Sequence, residues 1–401
     1  PTINGEVNQQ PLEAAGALII RDSNVAISSF SLNYAGDNQV FASGNLNTDR
    51  ADLKIIFNVA NTAPFVKDMS ADMSGKLSGT ASLTGKLNSP TVKVSALAEN
   101  IKYNQIHIAN ATALIDWTSH AEKTNKINLK AEGIRVNDEV PTNASVALTG
   151  TLKNHNLLVD WSEPEHKKES ARLRCSGKFP SQNTASPYDR WIGVCDELNI
   201  QYEWQNVQQQ WALTDVVEID YAAQPFEISL STFCLKSNES KICNEEFLTY
   251  REGDIASLSI AGDKLPLNWA KPFLPKNMRL KGDWEFALQG NNVISENNLT
   301  AEILAANAHI LWLTEQGMQS KQLSDSEIDD NYSGQSKKKK EKSKIQSQIK
   351  ANKIFAQWHW NNAGTSNQST NAKAGKGHRI TWEIDTEKNG DVLGHLNIVN
   401  D

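Results

Sequence analysis

Four cysteines in 401 residues, with no C-x-x-C and no histidine at zinc-finger spacing from any of them, leave this sequence without a thiol-based metal site. No run approaches the ~18 apolar residues that a membrane-spanning helix needs. The first residues, PTINGEVNQQ, carry no basic-plus-apolar leader. There is no G-x-S-x-G, no H-E-x-x-H and no Walker A loop, so the commonest hydrolase, zinc-protease and nucleotide signatures are missing. A net charge of −7 gives no electrostatic case for nucleic acid. The apolar share is 39% and the mean hydropathy −0.50, both low for a compact globular protein. A thin core with much surface accounts for that deficit.

The eight histidines, at 107, 120, 155, 166, 309, 359, 378 and 395, are dispersed and form no ligand set. We therefore expect no metal, no cofactor, no catalytic residue and no enzyme. Eleven tryptophans admit two readings, stacking on carbohydrate or packing on an apolar sheet face, and the second is the ordinary one. In Trp358-His359-Trp360, a strand puts the tryptophans on one face and the histidine on the other.

What the chain has in quantity is alternation. After Pro90, Val92, Val94, Ala96 and Ala98 fall on one face and Thr91, Lys93, Ser95, Leu97 and Glu99 on the other. Period two marks a half-buried strand. Ile106 and Ile108 start the next strand, and the apolar parity then slips to Ala109, Ala111, Ala113, Ile115 and Trp117, which predicts a bulge or a re-pairing. The same grammar recurs along the chain. The residues expected to line one apolar face are Leu53, Ile55 and Phe57, then Val92 and Val94, then Ile127 and Leu129, then Val146 and Leu148. Further on they are Leu258 and Ile260, Trp284, Phe286 and Leu288, Ile303, and finally Ile380 and Trp382. Lys54, Lys93, Lys130 and Glu285 alternate with them.

Asp37-Asn38, Asn88-Ser89-Pro90, Asn154-His155-Asn156 and Asn389-Gly390-Asp391 read as turns. Short helical turns are expected only near Pro64 to Met69 and Leu267 to Phe273. The fold class is all-β. A sandwich closes after about 100 residues, and this pattern persists about four times as long, which points to an elongated, open repeat. Roughly 25–30 strands stacked at ~4.8 Å would reach on the order of 120–140 Å.

We expect this β region over 1–314, a polar, disordered insertion over 315–352, and a continuation of the sheet over 353–401. The insertion holds a basic run from Lys337 to Lys344. Contact with an anionic membrane surface is one reading of those lysines, and a solvated loop tip is the other. Cys175, Cys195, Cys234 and Cys243 sit in two sequence-local pairs. Two structural disulfides in an oxidising compartment are the first reading, and four free thiols in a cytosolic protein the alternative.

Three landmarks, in this order, resemble one family. The run from Gly75 to Pro90 follows G-x-L-x-G-x-x-x-L-x-G-x-L-x-x-P. FCLKSNESKICNEEF, from Phe233 to Phe247, looks like a paired-cysteine hairpin. SLSIAGDKLPLNWAKPFLPKNMRLKGDWEFALQG, from Ser257 to Gly290, carries a P-F-L-P turn between two strands. Together they are similar to the TamB family, the inner-membrane subunit of the translocation and assembly module.

The resemblance implies a repeating β-groove, the β-taco form shared with AsmA-like and bridge-like lipid-transfer proteins. It implies phospholipid transport between membranes and a part in outer-membrane protein assembly. It also implies a periplasmic location, with an inner-membrane anchor that lies N-terminal to this stretch. The expected partners are phospholipid and a TamA-like outer-membrane barrel, the latter met through a region outside this chain. The expected disulfides are Cys234–Cys243 across the hairpin and Cys175–Cys195. The competing function is a surface adhesive or structural repeat, like an autotransporter passenger, which would close its apolar residues inside a β-helix. A polysaccharide-degrading β-helix is a third possibility, and would need clustered Asp, Arg and Lys on one face.

Overall fold

A computed structural model describes the whole chain except residues 1, 22, 67–72, 138, 166–167, 181–188, 205–206, 270–277, 296–297, 314–344, 363–375, 387–389 and 401. The described residues are all-β but for one short α-helix and a 3₁₀ turn at Leu267–Trp269. They divide into two compact units, Pro1–Trp211 and Ala212–Asp401.

The first unit is an antiparallel meander in which each strand pairs with the next. Its strands are β1 (Thr2–Val7), β2 (Gln10–Arg21), β3 (Asn24–Tyr34), β4 (Asn38–Leu46), β5 (Arg50–Val59), β6 (Met73–Lys86) and β7 (Ser89–Tyr103). They continue with β8 (Ile106–Thr118), β9 (Asn125–Val136), β10 (Thr142–Thr151), β11 (Asn154–Ser162), β12 (Ser170–Lys178) and β13 (Arg190–Trp204). The helix α1 (Ala63–Val66) lies between β5 and β6, where Phe65 packs 5.1 Å from the ring of Tyr34.

Period two decides the strands: in β5, Leu53, Ile55 and Phe57 are half-buried while Asp52, Lys54, Ile56 and Asn58 are exposed. The hairpin after β7 turns through Asn104, whose φ of +52° is the left-handed conformation that asparagine tolerates.

The parity slip in β8 has a physical cause. β8 itself pairs in even register on both sides. Its neighbours carry the irregularities: a bulge at Ser74/Lys76, another at Thr142/Ala144, and positive φ at Gly75 (+142°), Asn100 (+53°) and Gly133 (+65°). These positions form a crease across β6 to β10. Beyond it the apolar ladder resumes one residue out of phase, as Ile101–Ile108–Ile134 and Tyr103–Ile106–Val136.

The second unit opens differently. β14 (Val207–Leu213) ends in it at Ala212 and Leu213, and these pair with β17 (Phe233–Ser237). β17 pairs with β18 (Ser240–Asn244), and β18 with the C-terminal half of the long β20 (Asp254–Pro266). A second ladder runs from β15 (Val217–Ala223) through β16 (Phe226–Leu230) and β19 (Leu248–Arg251) to the N-terminal half of β20. Two narrow ladders thus share one long strand, and the sheet forks. The meander then resumes through β21 (Met278–Asn291), β22 (Leu299–Leu313), β23 (Ile345–Asn362), β24 (Lys376–Thr386) and β25 (Gly390–Asn400).

Two expectations need correction. Residues 345–352, assigned to the polar insertion, are the first part of β23 and pair with β22 from Leu313 onward. The rest of that insertion, including Lys337 to Lys344, lies outside the described residues. Asn154-His155-Asn156 is not a turn, because the hairpin closes at Leu152-Lys153 and His155 is a buried strand residue. The Asn389 turn also falls largely outside the described residues.

Candidate functional site

Cross-strand partners share a face. In the first unit, following them from strand to strand gives a row of Phe30, Ala42, Ile55, Ala81, Val94, Ile115, Ile127, Leu148, Leu157, Cys175 and Cys195. Beside it runs Leu32, Val40, Phe57, Gly79, Ala96, Ala113, Leu129, Val146, Val159, Leu173 and Leu198. Leu53, Leu83, Val92 and Trp117 form a third row. No charged residue interrupts any of them. The register therefore brings Leu53, Ile55, Phe57, Val92, Val94, Ile127, Leu129, Val146 and Leu148 onto one face.

The second unit repeats the arrangement. One row is Ile260, Leu288, Ala301 and Trp358, and the next is Gly262, Phe286, Ile303 and Ala356; in backbone register Ile380 then pairs with Trp358 and Trp382 with Ala356. Leu258 faces Gly290, and Trp284 faces Ala305. Sequence reasoning did not assign Leu173 and Leu198 to this face, although the alternation Ala171, Leu173, Cys175 was there to read.

The face is not sealed. Most members are half-buried, and Leu129 and Ile303 are 39% and 43% exposed. A depression of about 290 Å³ opens on it, lined by Leu77, Ala96, Ala98, Ala113, Leu129 and Val146, among others. Alanines make its floor low, and the larger residues make its walls.

The opposite face is mainly polar. Ser43, Lys54, Ser82, Lys93, Asp116 and Lys126 form a row there, and Lys93 pairs with Asp116 at 3.0 Å. Arg172 pairs with Asp160, and Arg174 bridges Asp196 and Glu197. Phe41, opposite Ile56, and Leu114 are exposed apolar exceptions.

Each unit holds one disulfide. Cys175–Cys195 closes the first apolar row and is 2% exposed at both residues. Cys234–Cys243 ties β17 to β18, and Cys243 aligns with Ala261 and Ala287, out of phase with the apolar rows. It lines an open depression of about 470 Å³ with Lys241, Glu245 and Glu302.

Next to Cys175–Cys195 the apolar face ends in a polar-aromatic cluster. Asn125, Gly150, His155, Gly177 and Gly193 form its base row. The Trp191 ring lies over Gly177 and Gly193, and a Cβ at either glycine would collide with it. The Trp191 indole donates to His155 Nε2 at 2.8 Å, so Nε2 is unprotonated. The ring proton then sits on Nδ1, 3.0 Å from the Thr151 carbonyl oxygen. Phe179 stacks on the imidazole at 5.2 Å.

Burial holds the His155 pKa below its ordinary value, opposed only by the Thr151 hydrogen bond. An unfolded histidine takes up a proton near pH 6.5 and the folded one resists. This contribution to stability is therefore complete above about pH 6.5 and is lost as pH falls below it. Thermal melts should show a loss of stability between pH 7 and 5 that is smaller in His155→Gln. Identical pH profiles for the two proteins would contradict this.

Among the described residues no group of three or more His, Cys, Asp or Glu could hold a metal, and no helix is long and apolar enough to cross a membrane. In each unit the arrangement is that of a repetitive antiparallel sheet with apolar rows on one face. The chain belongs to the family described as TamB, N-terminal domain, which it matches over residues 1–375. It is also similar to the translocation and assembly module subunit TamB of Haemophilus influenzae (strain ATCC 51907 / DSM 11121 / KW20 / Rd), at 19% identity over 291 residues. That match covers 72% of this chain and 21% of the relative, so the chain spans about a fifth of that protein's length. No solved structure matches it.

Proposed function

We propose that the chain is part of a TamB-like subunit of a translocation and assembly module, and that its apolar face carries phospholipid acyl chains between the inner and outer membranes. The observation that supports this reading is the unbroken apolar row from Phe30 to Cys195, half-open to solvent. An acyl chain needs only a continuous apolar lining, because burial contributes ~0.8 kcal/mol per CH₂ and no directional bond. No catalytic group is required, and the proposed function is not enzymatic. The location proposed is the periplasm, with an inner-membrane anchor preceding this stretch. A TamA-like barrel is the proposed partner, met outside it. Every ladder resolved in register is antiparallel, whereas a β-helix passenger would stack its strands in parallel.

Native mass spectrometry of the chain isolated from bacterial envelopes tests this reading. Bound phospholipid is expected to survive gentle detergent removal. A chain that emerges lipid-free, and that takes up none from phospholipid vesicles, would contradict it.

A further inference from the structure

At the hairpin tips joining β2 to β3 and β4 to β5, where the sheet ends, the first unit carries a depression of about 810 Å³ whose lining mixes polar-side residues with Val25, Leu46 and Ala51 of the apolar parity. Arg21, Asn24, Asn47 and Arg50 line it, with Asn45 and Asp52 one step further along the strands. Asp52 alternates with Leu53 and pairs with Asn45 and Thr84, which fixes these residues to the polar side. We propose that Arg21 and Arg50 form a binding site for a phosphate-type anion. This proposal does not depend on the acyl-chain reading.

Three observations support it. First, Arg21, Arg50 and Lys86 make no ion pair with another described residue, whereas Arg172, Arg174 and Arg251 on the same chain all do. Second, Arg50 stands directly opposite Lys86 across β5 and β6. Like charges facing each other across a ladder are destabilising, and a bound anion would reverse the sign of that contact. Third, the position of Arg50 is built. Asn47 Oδ1 accepts the backbone N–H groups of Asp49 and Arg50 at 2.9 and 2.6 Å, and the Asn47 N–H donates to the Arg50 carbonyl at 2.9 Å. That turn sets where the Arg50 side chain leaves the sheet, and turns the Asn47 amide into a further donor beside it.

Guanidinium forks suit the tetrahedral oxygens of a phosphoryl group, which can take two donors from each. Asp52 in the same wall opposes a bare dianion. It therefore makes a specific forecast: removing its charge should strengthen binding. The phosphoryl group could belong to free phosphate or to a lipid headgroup, and the test separates the two.

The full chain is titrated calorimetrically with inorganic phosphate at low ionic strength, and in parallel floated with vesicles of phosphatidylglycerol or of phosphatidylcholine. Saturable phosphate binding, weakened at least about tenfold in Arg21→Gln/Arg50→Gln and tightened in Asp52→Asn, is the expected result. If only phosphatidylglycerol vesicles bind, and the double variant abolishes flotation, the ligand is a headgroup and the site stands. Lys93→Gln, which removes a lysine engaged by Asp116, should bind like wild type. No binding in either arm, or binding that the double variant leaves unchanged, would overturn the proposal.

Discussion

Val94→Asp is expected to reduce phospholipid capture at least about 100-fold while the sheet stays folded. Val94 sits between Ala81 and Ile115 in one of the two long apolar rows of the first unit and is half-buried. In the free protein the carboxylate can turn toward solvent from an open face, so folding should lose little. An acyl chain lying over it would have to strip its water, at a cost of several kcal/mol, and 1.4 kcal/mol is a factor of ten in binding. Ile303→Asp, between Phe286 and Ala356 in the second unit, should act alike. Lys54→Gln on the polar face is the control and should capture lipid normally. Lipid capture by Val94→Asp at the wild-type level would show that the row is not a path.

The second large effect is on stability. Replacing Cys175 and Cys195 together by alanine should destabilise the first unit by about 3–4 kcal/mol, combining the closure of a 20-residue separation with an apolar gap in a buried row. Cys234→Ala/Cys243→Ala should cost less, about 2–3 kcal/mol, because its separation is 9 and its surroundings are open. Urea unfolding followed by limited proteolysis resolves the two. In the native protein, mild dithiothreitol should reduce Cys234–Cys243 first. Equal reduction rates would contradict the difference in burial.

Period two made the apolar rows legible: Leu53 and Ile55 flank Lys54, Trp284 and Phe286 flank Glu285, and antiparallel pairing carries the alternation to the next strand. The two cysteine pairs were legible because each is local in sequence and one matches the family's hairpin, and the structure puts each at facing positions of neighbouring strands. Other features were set by partners that the sequence does not display. The fork between β14 and β20 uses strands of 4 to 7 residues, too short to show which neighbour each will choose. The first part of β23, IQSQIKAN, is polar, and its extended form is imposed by pairing with β22. His155 reads as a turn residue between two asparagines, and its burial depends on Trp191, 36 positions away. The parity slip in β8 foretold an irregularity, but not that it would sit in the neighbouring strands, where one of the left-handed residues is Asn100 rather than glycine.

Photo-crosslinking by parity tests the central claim most directly. A benzophenone side chain is placed in turn at Ile55, Val94, Leu129 and Ile303, and then at the adjoining Lys54, Ser95, Lys130 and Glu302, in protein expressed with its native envelope. The account predicts phospholipid adducts at the first set and few or none at the second. Equal labelling at both parities would contradict it.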